Sequence, residues 1–110
     1  PVYLFGAGNI GRILRHFFEK QKRTLRAYVD NGKELWGKEM NGLEIIPPKE
    51  ALQDQEAFFI ICSENYALEI YEQLIANGVE KSRIAICDDM DSCIRFIIKN
   101  YKGSRVLCEL

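Results

Sequence analysis

Short, uninterrupted apolar runs alternate along the chain with longer segments in which apolar residues recur every three or four positions. Val2 to Phe5 is the first such run, and its continuity predicts a strand covered on both faces, as in a parallel sheet. From Asn9 to about Lys22, Ile10, Ile13, Leu14, Phe17 and Phe18 make one stripe while Arg12, Arg15, Glu19 and Lys20 take the other side, which predicts an amphipathic helix. Leu25 to Val29 reads as a second strand ending in the turn Asp30-Asn31-Gly32. Lys33 to Pro48 reads as a loop, with Trp36-Gly37 and Asn41-Gly42, followed by a short extended piece lying as an insertion over the sheet edge.

Lys49 to about Gln53 suits a single helical turn, and Ala57 to Cys62 is the third buried strand. Ser63 is placed to cap the next helix, whose stripe is Ala67, Ile70, Tyr71, Leu74 and Ile75 and whose stop is Asn77-Gly78. Arg83 to Cys87 is a fourth strand. Asp88, Asp89 and Asp91 then start a last helix with Cys93, Ile94, Ile97, Ile98 and Tyr101 on its apolar side.

Strand, helix and strand in about thirty residues make a right-handed βαβ unit. The expected fold is therefore α/β: a three-layer Rossmann-like domain with a mainly parallel sheet of four or five strands and helices on both faces. Residues 1–102 form the domain, and 103–110, containing Arg105-Val106-Leu107-Cys108, form a tail or edge strand. The four predicted strands can run in the order 3-2-1-4 or 2-1-3-4.

The chain has 110 residues, enough for one domain with a real core. A formal charge of −1 gives no basic excess for phosphate backbones, so nucleic acid is not an expected partner. The apolar runs fall far short of the roughly 20 residues that span a bilayer, so the domain is not expected to be membrane-embedded. Cys62, Cys87, Cys93 and Cys108 lack metal-ligand spacing and sit in apolar segments, which reads as buried free thiols in a reducing cytoplasm. The opening inside a strand, with no initiator Met, suggests a fragment of a larger polypeptide.

Gly6-Ala7-Gly8-Asn9-Ile10-Gly11 matches G-x-G-x-x-G between the first strand and the first helix. Asp30 follows Gly11 by 19 positions, close to the spacing of about 20 at which an acid meets a ribose. Gly6 permits the turn, Gly8 lets a pyrophosphate approach the backbone, and Gly11 lets the helix lie on the strand. Amides at the helix start bind phosphate without a cationic side chain. Asp30 accepts from ribose hydroxyls and repels a 2′-phosphate, favouring NAD-like or uridine nucleotides over NADP. Asn31 belongs to the same turn, and Ser63 and Asn65, at the carboxyl end of the third strand, are further candidates.

No Tyr is followed four positions later by Lys, so a dehydrogenase-type acid–base pair is missing, and no catalytic or metal-binding residues are assigned. His16 reads as a surface or boundary residue. Trp36 can cover a base or sugar, but pinning its loop to the sheet is the favoured reading.

FGAGNIGR, the VDN turn, WGKEMNGLEIIPPKEAL and IICSENYALEIYEQLIANGV resemble small Rossmann modules of bacterial polysaccharide-biosynthesis proteins. These are the N-terminal domains of PglD-type sugar O-acyltransferases and the CoA-binding-like domains of CapD-type nucleotide-sugar epimerases and dehydratases. The resemblance runs from Val2 to about Cys87, through Asp30, Gly37, Gly42, Ile45 and Pro48. It implies that Gly6, Ala7, Gly8, Asn9 and Asp30 bind a nucleotide, with a UDP-sugar as the acyltransferase ligand. The acyltransferase pattern has Gly-His after the loop's second glycine where this chain has Asn9-Ile10, so the wider module class is the one expected.

Three functions follow as expectations. The chain is a non-catalytic module holding NAD or a UDP-sugar for a catalytic domain elsewhere in its parent enzyme. Alternatively it is the cofactor half of an NAD-dependent sugar-nucleotide dehydrogenase or epimerase. The third is an interaction module with an empty pocket, a homodimer being one outcome.

Overall fold

The computed structural model describes residues 1–100, so Tyr101, Cys108 and the tail expected at 103–110 lie outside the described residues. Its six-stranded sheet is built from β1 (Val2–Phe5), β2 (Ala27–Val29), β3 (Glu39–Met40), β4 (Leu43–Ile46), β5 (Phe58–Cys62) and β6 (Ile84–Cys87) in the order β3-β4-β2-β1-β5-β6. All neighbours pair parallel except β3 with β4. The helices are α1 (Asn9–Lys20), α2 (Pro48–Ala51), α3 (Ala67–Ala76) and α4 (Met90–Asn100).

The α/β class and the parallel sheet with helices on both faces stand as expected, and the strand count is corrected from four or five to six. The difference lies in the segment read as a loop followed by a short extended piece over the sheet edge. Asn41 at φ 55° and Gly42 at φ 74° form a tight turn that folds β3 back on β4. Leu43, Ile45 and Ile46 are buried, and Tyr28 and Val29 pair with Ile45 and Ile46, so β4 is a strand of the sheet. Of the two orders left open for the strands seen in sequence, 2-1-3-4 is the one formed, with β4 added outside β2.

Alternation along each strand divides the core. Leu4, Tyr28, Ile45, Ile60 and Cys62 face α1 and α4, whereas Tyr3, Phe5, Ala27, Val29, Phe59 and Ile61 face α2 and α3. Both faces are apolar, which explains why the strand sequences show no polar alternation. Phe59 stacks on Tyr3 with ring centroids 5.5 Å apart and meets Phe5 at 6.4 Å. Cys62, Cys87 and Cys93 are buried free thiols as expected.

Helix ends follow local chemistry. α1 stops two residues earlier than its pattern suggested, where Lys22 turns to φ 55°. Gly78 at φ 86° ends α3, and Val79 donates back to the Leu74 carbonyl at 3.0 Å. Asp89 accepts the Ser92 amide at 2.7 Å at the start of α4. Ser63 accepts the Tyr66 amide at 2.9 Å, but α3 begins only at Ala67, so Ser63 closes the turn before the helix instead of capping it. Ile75 and Ile98, assigned to apolar stripes, are 37% and 45% exposed, while Ile70 and Leu74, and Cys93 and Ile97, are the residues of these helices that are buried.

Candidate functional site

From β1 the chain crosses by α1 to β2 on one face, and from β4 it returns by α2 to β5 on the other, so connections diverge between β1 and β5. A crevice must open at the carboxyl ends of those strands. The structure has a cleft of about 830 Å³ there, lined by the glycine loop, the turn after β2 and the segment from Cys62 to Ile70.

The loop's geometry follows from what its glycines meet. Gly6 has φ 122°, its amide donates to the Val29 carbonyl at 2.7 Å, and a Cβ on it would collide with the Cys62 carbonyl. At Gly11 a Cβ would collide with the Gly6 carbonyl, so α1 presses directly on the loop. Gly8 is different: a Cβ there would meet nothing within 4 Å, because the position faces open space. No side chain caps α1 and no acid stands in its first turn, so its first amides, which have no intrahelical acceptor, are left for another partner.

Asp30 joins the loop to the β2 turn. One carboxylate oxygen accepts the Ala7 amide at 3.0 Å and the other the Gly32 amide at 2.8 Å, which fixes the group at the cleft wall with lone pairs to spare. Trp36 donates to the Asp30 carbonyl at 2.7 Å and does not line the cleft, so it pins its loop. Asn31 is tied by a reciprocal amide pair to Gln73 of α3, at 2.9 and 3.0 Å.

Of the residues singled out from sequence, Gly6, Ala7, Gly8, Asn9, Ile10, Asp30, Asn31, Ser63 and Asn65 line this one cleft, and Gly11 is buried behind it. His16 is exposed on α1 and takes no part. The residues missed are Glu34, Glu64, Tyr66 and Glu69, which also line it. Their only sequence signal was proximity to the β2 turn or to Ser63, since no motif marks them.

The electrostatics are one-sided. Asp30, Glu34, Glu64 and Glu69 all line the cleft, and among the described residues no Lys, Arg or His does. Any phosphate bound there relies on backbone amides and the α1 dipole. Burial raises the Cys62 thiol at the cleft well above its ordinary value, and behind it pushes Cys87 up to about 12 and Cys93 to about 11. Among the described residues no group of His, Cys, Asp and Glu is arranged to hold a metal ion, and no helix is long and apolar enough to cross a membrane.

The fold is shared with proteins of known structure. RSP, a Rex-family repressor solved with β-NAD+ and operator DNA, is similar at a TM-score of 0.59 and 15% identity, over 89% of this chain and 54% of that one. The chain thus spans about half the repressor's length. UDP-D-quinovosamine 4-dehydrogenase from Vibrio fischeri is similar at a TM-score of 0.61 and 19% identity, over 86% of this chain and 83% of that one. At these identities the likeness is one of fold. No curated protein sequence matches significantly. Residues 1–85 match the model of the C2185-like N-terminal domain, and the chain belongs to that family.

Proposed function

We propose that the chain is a nucleotide-binding module that holds NAD or a nucleotide-sugar for a catalytic domain elsewhere in a larger bacterial, cytoplasmic polysaccharide-biosynthesis protein. The module is taken as residues 1–102, with 103–110 as a C-terminal tail or edge strand. The observation that carries this reading is the juxtaposition in one cleft of an uncapped helix start, an open Gly8 and a carboxylate at Asp30. Phosphates fit the first-turn amides, and the ribose fits Asp30, whose remaining lone pairs accept hydroxyls. The repressor that shares the fold was solved with β-NAD+, and the dehydrogenase takes a UDP-sugar by its name, which supports both ligand classes.

That repressor also binds operator DNA, but this chain corresponds to only 54% of it. The net charge of −1 and the acidic cleft support a module with no nucleic-acid partner. The dehydrogenase likeness favours, as a second reading, the cofactor half of an NAD-dependent sugar-nucleotide dehydrogenase or epimerase.

The test is thermal stabilisation against NAD, NADP, UDP, UDP-sugars, CoA and S-adenosylmethionine, with Asp30→Ala and Gly8→Val alongside. At about 100 times its dissociation constant a ligand adds roughly 2.7 kcal/mol. NAD or a UDP-sugar is expected to shift the wild type and neither variant. If no nucleotide shifts the wild type, the module is an interaction domain, with a homodimer checked by sedimentation.

A further inference from the structure

Resting on the nucleotide-binding reading, we infer that Gln73, which does not itself line the cleft, is a positioning residue for it. Its amide holds Asn31, and through Asn31 the turn that carries Asp30, at a fixed place against α3. The two side chains exchange hydrogen bonds: Asn31 Nδ2 donates to Gln73 Oε1 at 2.9 Å, and Gln73 Nε2 donates to Asn31 Oδ1 at 3.0 Å. A reciprocal pair fixes orientation as well as distance, because both bonds must stay aligned at once. Glu69 and Ile70, one helical turn before Gln73 on the same face, line the cleft, and so does Asn31. The clasp therefore ties the β2 turn to the helix that supplies part of the cleft's lining.

The bonds of Asp30 itself run elsewhere. Its carboxylate accepts from Ala7 and Gly32, its carbonyl accepts from Trp36, and its amide donates to the Ile46 carbonyl at 3.3 Å. Those bonds tether it to the glycine loop, to its own loop and to β4, while the tether to α3 is made by the next residue, Asn31. Asn31 and Gln73 are both exposed. Hydrogen bonds between exposed amides replace bonds to water, so the clasp adds little to the stability of the fold. Its effect is on where the turn stands. A carboxylate receiving ribose hydroxyls loses strength steeply as the bonds go out of line, so freedom in this turn is lost affinity for the ribose.

The experiment is isothermal titration of the 110-residue chain with ADP and UDP, each against its 2′-deoxy form, with urea unfolding alongside. The wild type is compared with Gln73→Ala, Asn31→Ala and the double variant. The wild type is expected to prefer the ribo form by about tenfold, the ratio that one hydrogen bond to a charged group supports. In Gln73→Ala the ribo form is expected to bind about threefold to tenfold more weakly and the ribo-to-deoxy ratio to fall, with the urea midpoint held. In the Asn31→Ala background Gln73→Ala is expected to add nothing, since it has no partner left to hold. Wild-type binding by Gln73→Ala, effects that add in the double variant, or a loss equal for ribo and deoxy forms overturns the positioning role while leaving nucleotide binding intact. Ribo and deoxy forms bound alike by the wild type remove the ribose role of Asp30 and this inference with it. Absence of binding by ADP, UDP, NAD and UDP-sugars removes the parent reading as well.

Discussion

At the residue scale, the three glycines of one motif have separate physical jobs. Gly6 combines a positive φ with contact on the Cys62 carbonyl, whereas Gly8 has ordinary φ and open space. Gly6→Ala is expected to cost about 1–3 kcal/mol, and Gly8→Ala to stay within about 0.5 kcal/mol of wild type, in urea unfolding. Equal losses would contradict the geometry. Tyr28 makes a second test: it is fully buried against α1 and its hydroxyl has no hydrogen-bond partner among the described residues. Burial pushes that phenol up to about 12. Removing an unsatisfied buried hydroxyl relieves a desolvation cost, so Tyr28→Phe is expected to be neutral or to stabilise by up to about 1 kcal/mol. A loss larger than that would reveal a partner for the oxygen.

At the element scale, β5, β6 and α4 bring Cys62, Cys87 and Cys93 together on one face of the sheet. Their folded pKa values lie above the ordinary 9.0, so the folded state holds these protons more tightly than the unfolded chain does. The resulting stability is fully present below pH 9 and is lost as pH rises through the folded values, about 11 for Cys93 and about 12 for Cys87. Urea midpoints should therefore hold steady from pH 7 to 8.5 and fall above 9, and alkylation mapped by mass spectrometry should spare all three thiols in the native protein. Rapid native modification would show that α4 does not cover them. Elements were unequally legible in sequence. α1 announced itself through a full stripe, because Ile10, Leu14, Phe17 and Phe18 all meet the sheet. β4 was legible only as a short extended piece, since four residues after a turn become a strand of the sheet only when Tyr28 and Val29 provide a partner.

At the scale of the whole molecule, sheet order and charge decide what the cleft can do. A phosphate site lined by Lys or Arg weakens as salt screens its attraction. Among the described residues this cleft has carboxylates and no cationic side chain, so screening removes repulsion. Nucleotide affinity is expected to hold or rise between low and high salt, and a steep fall would place an unseen cation at the phosphate. Packing across the sheet sets the stability: Phe59, fully buried between Tyr3 and Phe5, is expected to cost about 3–5 kcal/mol on change to Ala, measured by urea unfolding.

The sequence alone determined the α/β class, the glycine loop and Asp30, because each depends on periodicity or on spacing within one βαβ unit. Folding decided which distant residues meet them. Gln73 clasps Asn31 across 42 positions, and Tyr66 and Glu69 join the cleft only because α3 packs on the face opposite α1. The place of β4 beside β2, and hence the six-stranded order, was also a tertiary decision: backbone hydrogen bonds between strands are made by groups every residue carries, so pairing leaves little trace in side-chain identity.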